Sequence, residues 1–234
     1  MHRTRRLMLL LAVVAIGVAF EKGLWQLPRE WSPFQLLHID DPVTPVTRWK
    51  LQRLRNDREA CHAVLERASS PSIQYTVLDD YTPVEGCPLE KVVRLQGTGV
   101  SFNRSFVATC PLVVAWGLFE HHSLQPAARD LLGEEVSHVE HYGSFACRNI
   151  YHRANARRSA HATASALDVA GFTLHSGRRI SLLGDWQGSG AESDFLRRLN
   201  DEACRFFGTA LGPDYNAAHA NHFHLAMRGG GICR

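Results

Sequence analysis

The chain has 234 residues, enough for one ordinary domain with extra segments or for two small domains. Hydrophobic residues make up 45% and charged residues 21%, proportions that exclude a generally disordered chain and allow a sizeable core. The formal net charge of +3 is too small to indicate a nucleic-acid-binding protein.

Residues 1–24 have the layout of an export signal. Arg3, Arg5 and Arg6 precede the apolar run 7–20, and charged residues close it. The run is shorter than the ~20 residues of a full membrane span, and no small-residue cleavage site follows it. We therefore expect an uncleaved signal anchor in the inner membrane, with the rest of the chain in the periplasm. A cleaved signal peptide that releases the exported protein is the alternative.

The next segments alternate between turn-rich and helical patterns. Residues 25–47 contain several prolines and no sustained hydrophobic period, which predicts a tether to a domain over 48–234. Over 47–68, apolar residues recur at helical spacing and predict a helix. Residues 71–104 are rich in turns, so we expect irregular structure with short strands there.

A second helical pattern covers 111–132. Pro111 is at its start, where the missing N–H of proline costs nothing. Pro126 should kink or split this helix, because an interior proline removes a backbone hydrogen bond. Gly133 should end it.

Beyond this helix the pattern is that of strands. We expect strands at 136–148, 166–174, 179–183 and 222–227, with a hairpin turn between the second and the third. An amphipathic helix is expected over 191–211. Helices followed by a small, antiparallel sheet with one inserted helix define an α+β fold.

Six cysteines support an oxidising compartment. No two of them have the C-x-x-C spacing of a zinc ribbon or a thioredoxin-like motif. An even number of cysteines in an exported chain indicates disulfides, although the spacing leaves the pairing open. The residues are Cys61, Cys87, Cys110, Cys147, Cys204 and Cys233.

Candidate metal ligands lie in the last third of the chain. His161 and Asp168 are seven positions apart, and His222 and His224 alternate on a predicted strand, so that their side chains share one face. Zinc accepts histidine nitrogen and carboxylate oxygen, and a catalytic zinc site leaves one position for water. The chain has 13 histidines, so such pairs also arise by chance, and the surrounding residues must decide.

The surrounding residues resemble a known family. The pattern Ser-x-His-x-x-x-x-Ala-x-Asp at 159–168, followed by His-Phe-His at 222–224, is similar to the zinc peptidases grouped with lysostaphin and the D-Ala-D-Ala peptidases. More closely, the chain resembles the bacterial extensin-like C-terminal domain family. The matching stretches are 143–148, 159–172 and 212–224. The resemblance implies that the small sheet carries a zinc site, flanked by helices and stabilised by disulfides.

The resemblance also implies three groups of site residues. The zinc ligands would be His161, Asp168 and His224. The catalytic histidines would be His222, as general base or oxyanion partner, and His219. The substrate-binding residues would be Arg148 and Ser159. Together with proximity along the chain, the resemblance suggests the disulfides Cys61–Cys87, Cys110–Cys147 and Cys204–Cys233.

Two positions depart from the family pattern. Ala160 stands where Glu is expected, and Asn221 stands where Asp is expected. Neither change removes a proposed ligand, but both weaken the polar groups that orient ligands.

The implied function is a zinc-dependent peptidase that hydrolyses stem-peptide or cross-link amide bonds of peptidoglycan in the cell envelope. Endopeptidase and carboxypeptidase activity, and D,D and L,D bonds, all stay open. The alternative is an inactive zinc-bearing protein that binds peptidoglycan or serves as an envelope scaffold. A disulfide-held envelope protein without metal is a third possibility.

Overall fold

A computed structural model describes residues 2–21, 27–69, 72–229 and 231–234. The helices are α1 (His2–Glu21), α2 (Pro45–Arg53), α3 (Arg58–Glu66), α4 (Cys110–Phe119), α5 (Gln125–Leu132), α6 (Leu182–Asp185) and α7 (Ala191–Ala203). The strands are β1 (Gln74–Val77), β2 (Tyr81–Val84), β3 (Cys87–Leu89), β4 (Val92–Gly97), β5 (Ser101–Thr109), β6 (Val136–Gly143), β7 (Ala166–Leu174), β8 (Arg179–Ser181), β9 (Thr209–Leu211), β10 (Phe223–Ala226) and β11 (Ile232–Cys233). No helix within these ranges is both long and apolar enough to cross a membrane.

Nine of these strands form one mixed sheet in the order β1-β4-β5-β6-β7-β10-β9-β11, with β8 paired to β7. Strands β2 and β3 form a separate hairpin. Most neighbours are antiparallel, but β5 pairs with β6 and β9 pairs with β11 in parallel. The α+β class is confirmed, whereas the prediction of a small antiparallel sheet was wrong in both size and strand direction.

The extra strands come from 71–104, where irregular structure with short strands was expected, and the short strands are confirmed. In β4, buried Val93 and Leu95 alternate with exposed Arg94 and Gln96, which is the period of a half-buried strand. The turn residues between these short strands obscured that alternation in the sequence.

The core lies between the sheet and the helices. Every residue of α4 is buried, which explains why its sequence is apolar on all sides. A π-helical turn, Glu120–Leu124, separates α4 from α5, and Pro126 lies in the first turn of α5. Gly133 ends α5 with φ = 76°, in the left-handed region that favours glycine. The predicted split at Pro126 and the predicted stop at Gly133 are both confirmed.

Two predicted helices are shorter in the structure. The helix expected over 47–68 is divided into α2 and α3, because the side chain of Asp57 accepts the backbone N–H of Ala60 and starts a new helix. The helix expected over 191–211 ends at Ala203, and the chain then turns to form β9. The strand expected over 136–148 likewise ends at Gly143.

Part of the predicted tether packs onto the domain. Residues 27–44 contain no regular helix or strand, but Leu37 and Ile39 are buried in the main core. Arg29 also forms an ion pair with Asp41. Residues 25 and 26 lie outside the described residues.

Three disulfides link distant segments. Cys204–Cys233 joins the end of α7 to β11, as predicted. The predicted pairs Cys61–Cys87 and Cys110–Cys147 were wrong: the observed pairs are Cys61–Cys110 and Cys87–Cys147. Proximity along the chain misled because the β4–β5 hairpin returns the start of α4 to the side of α3.

Candidate metal centre

Three side chains converge where β7 meets β10. Asp168 on β7 and His224 on β10 are directly opposite in antiparallel register, so their side chains lie on the same face. His161 lies in a 3₁₀ turn, Ala160–Thr163, that leads into β7. Its Nε2 is 3.1 Å from Asp168 Oδ1 and 3.0 Å from His224 Nδ1, and those two atoms are 2.9 Å apart. The structure thus brings the three predicted ligands together.

The hydrogen-bond donors around this triangle fit a cation at its centre. The Nδ1–H of His161 donates to the carbonyl of Ser144 at 3.1 Å, which leaves a lone pair on Nε2 of the neutral ring. That lone pair faces Asp168 Oδ1, which is also an acceptor. Ligand bonds of ~2.0–2.2 Å in a tetrahedral zinc site put ligand atoms about 3.3 Å apart, close to the observed separations. The donor set and its spacing therefore suit zinc.

Asp168 is ionised in this setting. Burial raises the pKa of its carboxyl group, but the neighbouring imidazoles of His161 and His224 outweigh burial and hold the pKa below its usual value. A carboxylate at this position supplies the negative charge that a divalent cation requires.

Ser159 supports His161 from behind. Its Oγ accepts the backbone N–H of His161 at 3.3 Å, and only 6% of the residue is exposed. The hydroxyl therefore caps the 3₁₀ turn, which favours a positioning role over the predicted contact with substrate. Ala164, with φ = 48°, closes the same turn.

His222 borders the triangle. Its Nε2 lies 3.7 Å from Asp168 Oδ1, and its Nδ1–H donates to Asn221 Oδ1 at 2.9 Å. Burial lowers the pKa of His222 below its ordinary value. A neutral ring with Nε2 turned towards the centre has the form that a general base needs.

His219 lies on the other side of His222. Its ring centroid is 5.2 Å from that of His222 and 5.8 Å from that of His224. Burial, followed by the charges of His224 and His222, lowers the pKa of His219 to about 4. Its Nδ1–H donates to Asn216 Oδ1 at 2.8 Å, so Nε2 is again the free acceptor.

Arg148 lies close enough to the two catalytic candidates for its charge to act on them. Burial is the main cause of the lowered pKa of both His219 and His222, and the positive charge of Arg148 makes a small further contribution in the same direction. In the described part of the chain no carboxylate lies within 4.0 Å of its guanidinium group. A half-buried cation without an internal partner is available to a substrate.

The sequence did not single out Tyr142, Ser144 or Asn216. The Tyr142 hydroxyl accepts a hydrogen bond from Asn221 Nδ2 at 3.3 Å, and its ring meets His222 edge-on at 5.8 Å. Ser144 and Asn216 hold the rings of His161 and His219. Ser144 and Asn216 lie in matching family stretches, whereas nothing in the pattern of its strand distinguishes Tyr142.

Fold and site together define a disulfide-linked α+β domain with a candidate His-Asp-His metal centre. The chain belongs to the family described as extensin-like protein C-terminus, whose model matches residues 59–234. No curated protein and no solved structure matches the chain significantly. The predicted family is confirmed, and the more distant resemblance to the lysostaphin group stays a prediction.

Proposed function

We propose that the protein is a zinc-dependent peptidase that hydrolyses stem-peptide or cross-link amide bonds of peptidoglycan. The main observation in support of this proposal is the triangle of His161 Nε2, Asp168 Oδ1 and His224 Nδ1. The neutral ring of His222 lies at its side. Zinc bound there would lower the pKa of a water molecule and polarise the scissile carbonyl. The resemblance to the lysostaphin and D-Ala-D-Ala peptidases supplies the substrate class.

His222 is the proposed proton carrier. Asn221 fixes its ring by accepting the Nδ1–H, which leaves the lone pair of Nε2 directed at the centre. In this role Nε2 takes a proton from the attacking water and later returns it to the leaving amine. His219 is held in the same tautomer by Asn216 and is the second base within reach.

Arg148 is the proposed contact for the substrate. Its guanidinium group offers paired N–H donors to a carboxylate or a peptide oxygen. Its charge reaches His219 and His222, which supports a place for such a group near the proton carriers. Substrates that bear a free carboxylate near the scissile bond suit this arrangement.

One observation favours a second candidate, a zinc-bearing protein that binds peptidoglycan without cleaving it. The acceptor of the His222 Nδ1–H is the neutral amide of Asn221, where the family pattern has a carboxylate. A neutral acceptor stabilises the protonated imidazole less than a carboxylate does, so His222 is a weaker base. Ala160 likewise provides no polar side chain where Glu is expected.

The three disulfides support an oxidising compartment. We propose a periplasmic location, reached through residues 1–24 either as an uncleaved anchor in the inner membrane or as a cleaved signal. The basic start of the chain and its apolar run support this route.

Digestion of purified muropeptides tests the function. Zinc-loaded wild type and a His138→Ala control should release new amine-terminated fragments, and the metal-free protein and His224→Ala should release none. His138 is a matched control because its ring contacts Ser101, away from the triangle. Binding of muropeptides by zinc-loaded wild type without any cleavage would favour the second candidate.

A further inference from the structure

A groove of about 280 Å³ lies beside the metal centre. Tyr142 and Ser144 line the groove and also belong to the centre. Ser144 accepts the Nδ1–H of His161, and the ring of Tyr142 meets His222 edge-on. The two sites therefore share a wall, and a long substrate can occupy both.

The groove is positively charged. Arg94 and Arg104 line it, and no aspartate or glutamate occurs among the described residues of its lining. Both arginines are exposed, and neither forms an ion pair within the described ranges.

Arg104 is held in place by β6. Its Nη2 donates to the carbonyl of Tyr142 at 3.1 Å, and its own carbonyl accepts Nε2–H of buried His141 at 3.0 Å. Asn103 exchanges two hydrogen bonds with the backbone of His141. These bonds fix the backbone of Arg104 and engage one guanidinium nitrogen, and the other N–H donors point to no protein acceptor in the described residues.

A disulfide anchors the hairpin that supplies another part of the groove lining. Tyr81 and Pro83, from the β2–β3 hairpin, line the groove. The Cys87–Cys147 bridge ties the hairpin to the segment after β6, next to Arg148. The disulfide and the hydrogen bond of Arg104 therefore each tie part of the groove lining to the rest of the domain.

From these contacts we propose that the groove is a carboxylate-binding subsite for one arm of the peptide substrate, with Arg104 and Arg94 as the residues that recognise it. The proposal rests on the proposed function and extends it to substrate choice. Neighbouring strands are about 4.8 Å apart, which puts β5 about 10 Å and β4 about 15 Å from β7. An extended peptide rises about 3.3 Å per residue, so the recognised carboxylate lies about three or four residues from the scissile bond.

Equilibrium binding of two probes tests the subsite. The probes are a purified peptide-cross-linked muropeptide and the same muropeptide with its carboxylates amidated. Zinc-loaded wild type should bind the free-carboxylate probe more tightly than the amidated probe. Arg104→Gln and Arg94→Gln should each reduce this ratio of affinities. The reduction should be about tenfold for Arg104→Gln, because Arg104 is the better held of the two side chains. Higher salt should shrink the wild-type preference, because the arginines are exposed.

Arg179→Gln is the matched control. Arg179 is exposed on β8, forms no ion pair in the described ranges and lies outside the groove lining, so its variant should keep the wild-type preference. An unchanged preference in both Arg94→Gln and Arg104→Gln would overturn the proposal, as would a wild type that binds neither probe. Circular dichroism should confirm that all three variants are folded.

Hydrolysis of the same probes separates the two proposals. If both probes are cleaved and Arg104→Gln does not change the preference between them, the peptidase function is supported and the subsite is refuted. If the probes bind with a preference that depends on Arg104 but are not cleaved, the subsite is supported and the peptidase function is refuted.

Discussion

Nε2 of His161 and Oδ1 of Asp168 lie 3.1 Å apart, although the only N–H of the neutral imidazole is already donated to Ser144. Two acceptors at this distance repel each other unless a proton or a cation lies between them. His224 Nδ1, at 3.0 Å from His161 Nε2, can donate one proton to the pair but cannot satisfy both atoms. A metal ion bound at the centre would satisfy all three atoms, which supports the proposed zinc site.

Removing one ligand should therefore remove the metal. We expect about one zinc per chain in wild type and in His138→Ala, and little in His224→Ala, by elemental analysis of dialysed protein. Zinc at a hundred times its dissociation constant should raise the free energy of unfolding of wild type by about 2.7 kcal/mol. Equal zinc content in wild type and His224→Ala would contradict the ligand assignment.

His222→Ala should separate metal binding from turnover. Its Nε2 is 3.7 Å from Asp168 and does not complete the triangle, so zinc content should stay at the wild-type level. Muropeptide hydrolysis should fall by ~10²–10⁴-fold, the usual loss of a general base. Zinc and activity are measured on one preparation. Loss of zinc would make His222 a ligand, and unchanged hydrolysis would pass the base role to His219.

Asn221→Asp should strengthen the same base. A carboxylate in place of the amide that accepts the Nδ1–H favours the protonated imidazole, opposing the burial that lowers the pKa of His222. The acidic limb of the pH–rate profile should move to higher pH, and hydrolysis near neutral pH should increase. Asn216→Asp, which changes the partner of His219, is the matched comparison. A pH–rate profile that is identical in wild type and Asn221→Asp would contradict the role of His222.

The features that could be predicted from the sequence are those set by local chemistry. Gly133 ends a helix because the chain there needs φ = 76°, and Pro126 lies in the first turn of α5, where an α-helix tolerates proline. A sequence motif identified His161, Asp168 and His224 as the candidate ligands. Its spacing matches the 3₁₀ turn that holds His161 and the pair of strands that holds the other two.

The features that could not be predicted depend on contacts between distant segments. Cys61 and Cys110 meet only because a strand pair returns the chain to α3. Leu37 looked like part of a tether because its burial comes from the surrounding fold and not from a periodic pattern. Tyr142 reaches the site because β6 lies next to β7.

The disulfide map gives a prediction for stability. Peptide mapping under non-reducing conditions should find the pairs Cys61–Cys110, Cys87–Cys147 and Cys204–Cys233. The Cys87–Cys147 bridge spans 60 residues, so replacing both cysteines by serine should lower the free energy of unfolding by about 4 kcal/mol if loop entropy dominates. Denaturant titration measures this loss. Detection of Cys61–Cys87 in the map would contradict the described fold.

A buried carboxyl group should make stability depend on pH. Glu120 is 1% exposed and accepts hydrogen bonds from Thr98 and from Trp116. Burial raises the pKa of Glu120 from 4.5 to about 7, because these hydrogen bonds compensate only in part for the loss of water.

The sign of the effect follows from proton binding. The folded chain holds this proton more tightly than the unfolded chain, so the stability due to it is complete below pH 4.5 and is lost as the pH rises to about 7.

Glu120→Gln keeps an oxygen acceptor for Thr98 and Trp116 and has no proton to lose. The variant should match wild type near pH 4.5 and exceed it at pH 8 by roughly 3 kcal/mol in the free energy of unfolding. Urea titrations at both pH values measure the difference, with exposed Glu140→Gln as the control that should show none. A difference between Glu120→Gln and wild type that is the same at pH 4.5 and pH 8 would show that folding does not raise the pKa of Glu120.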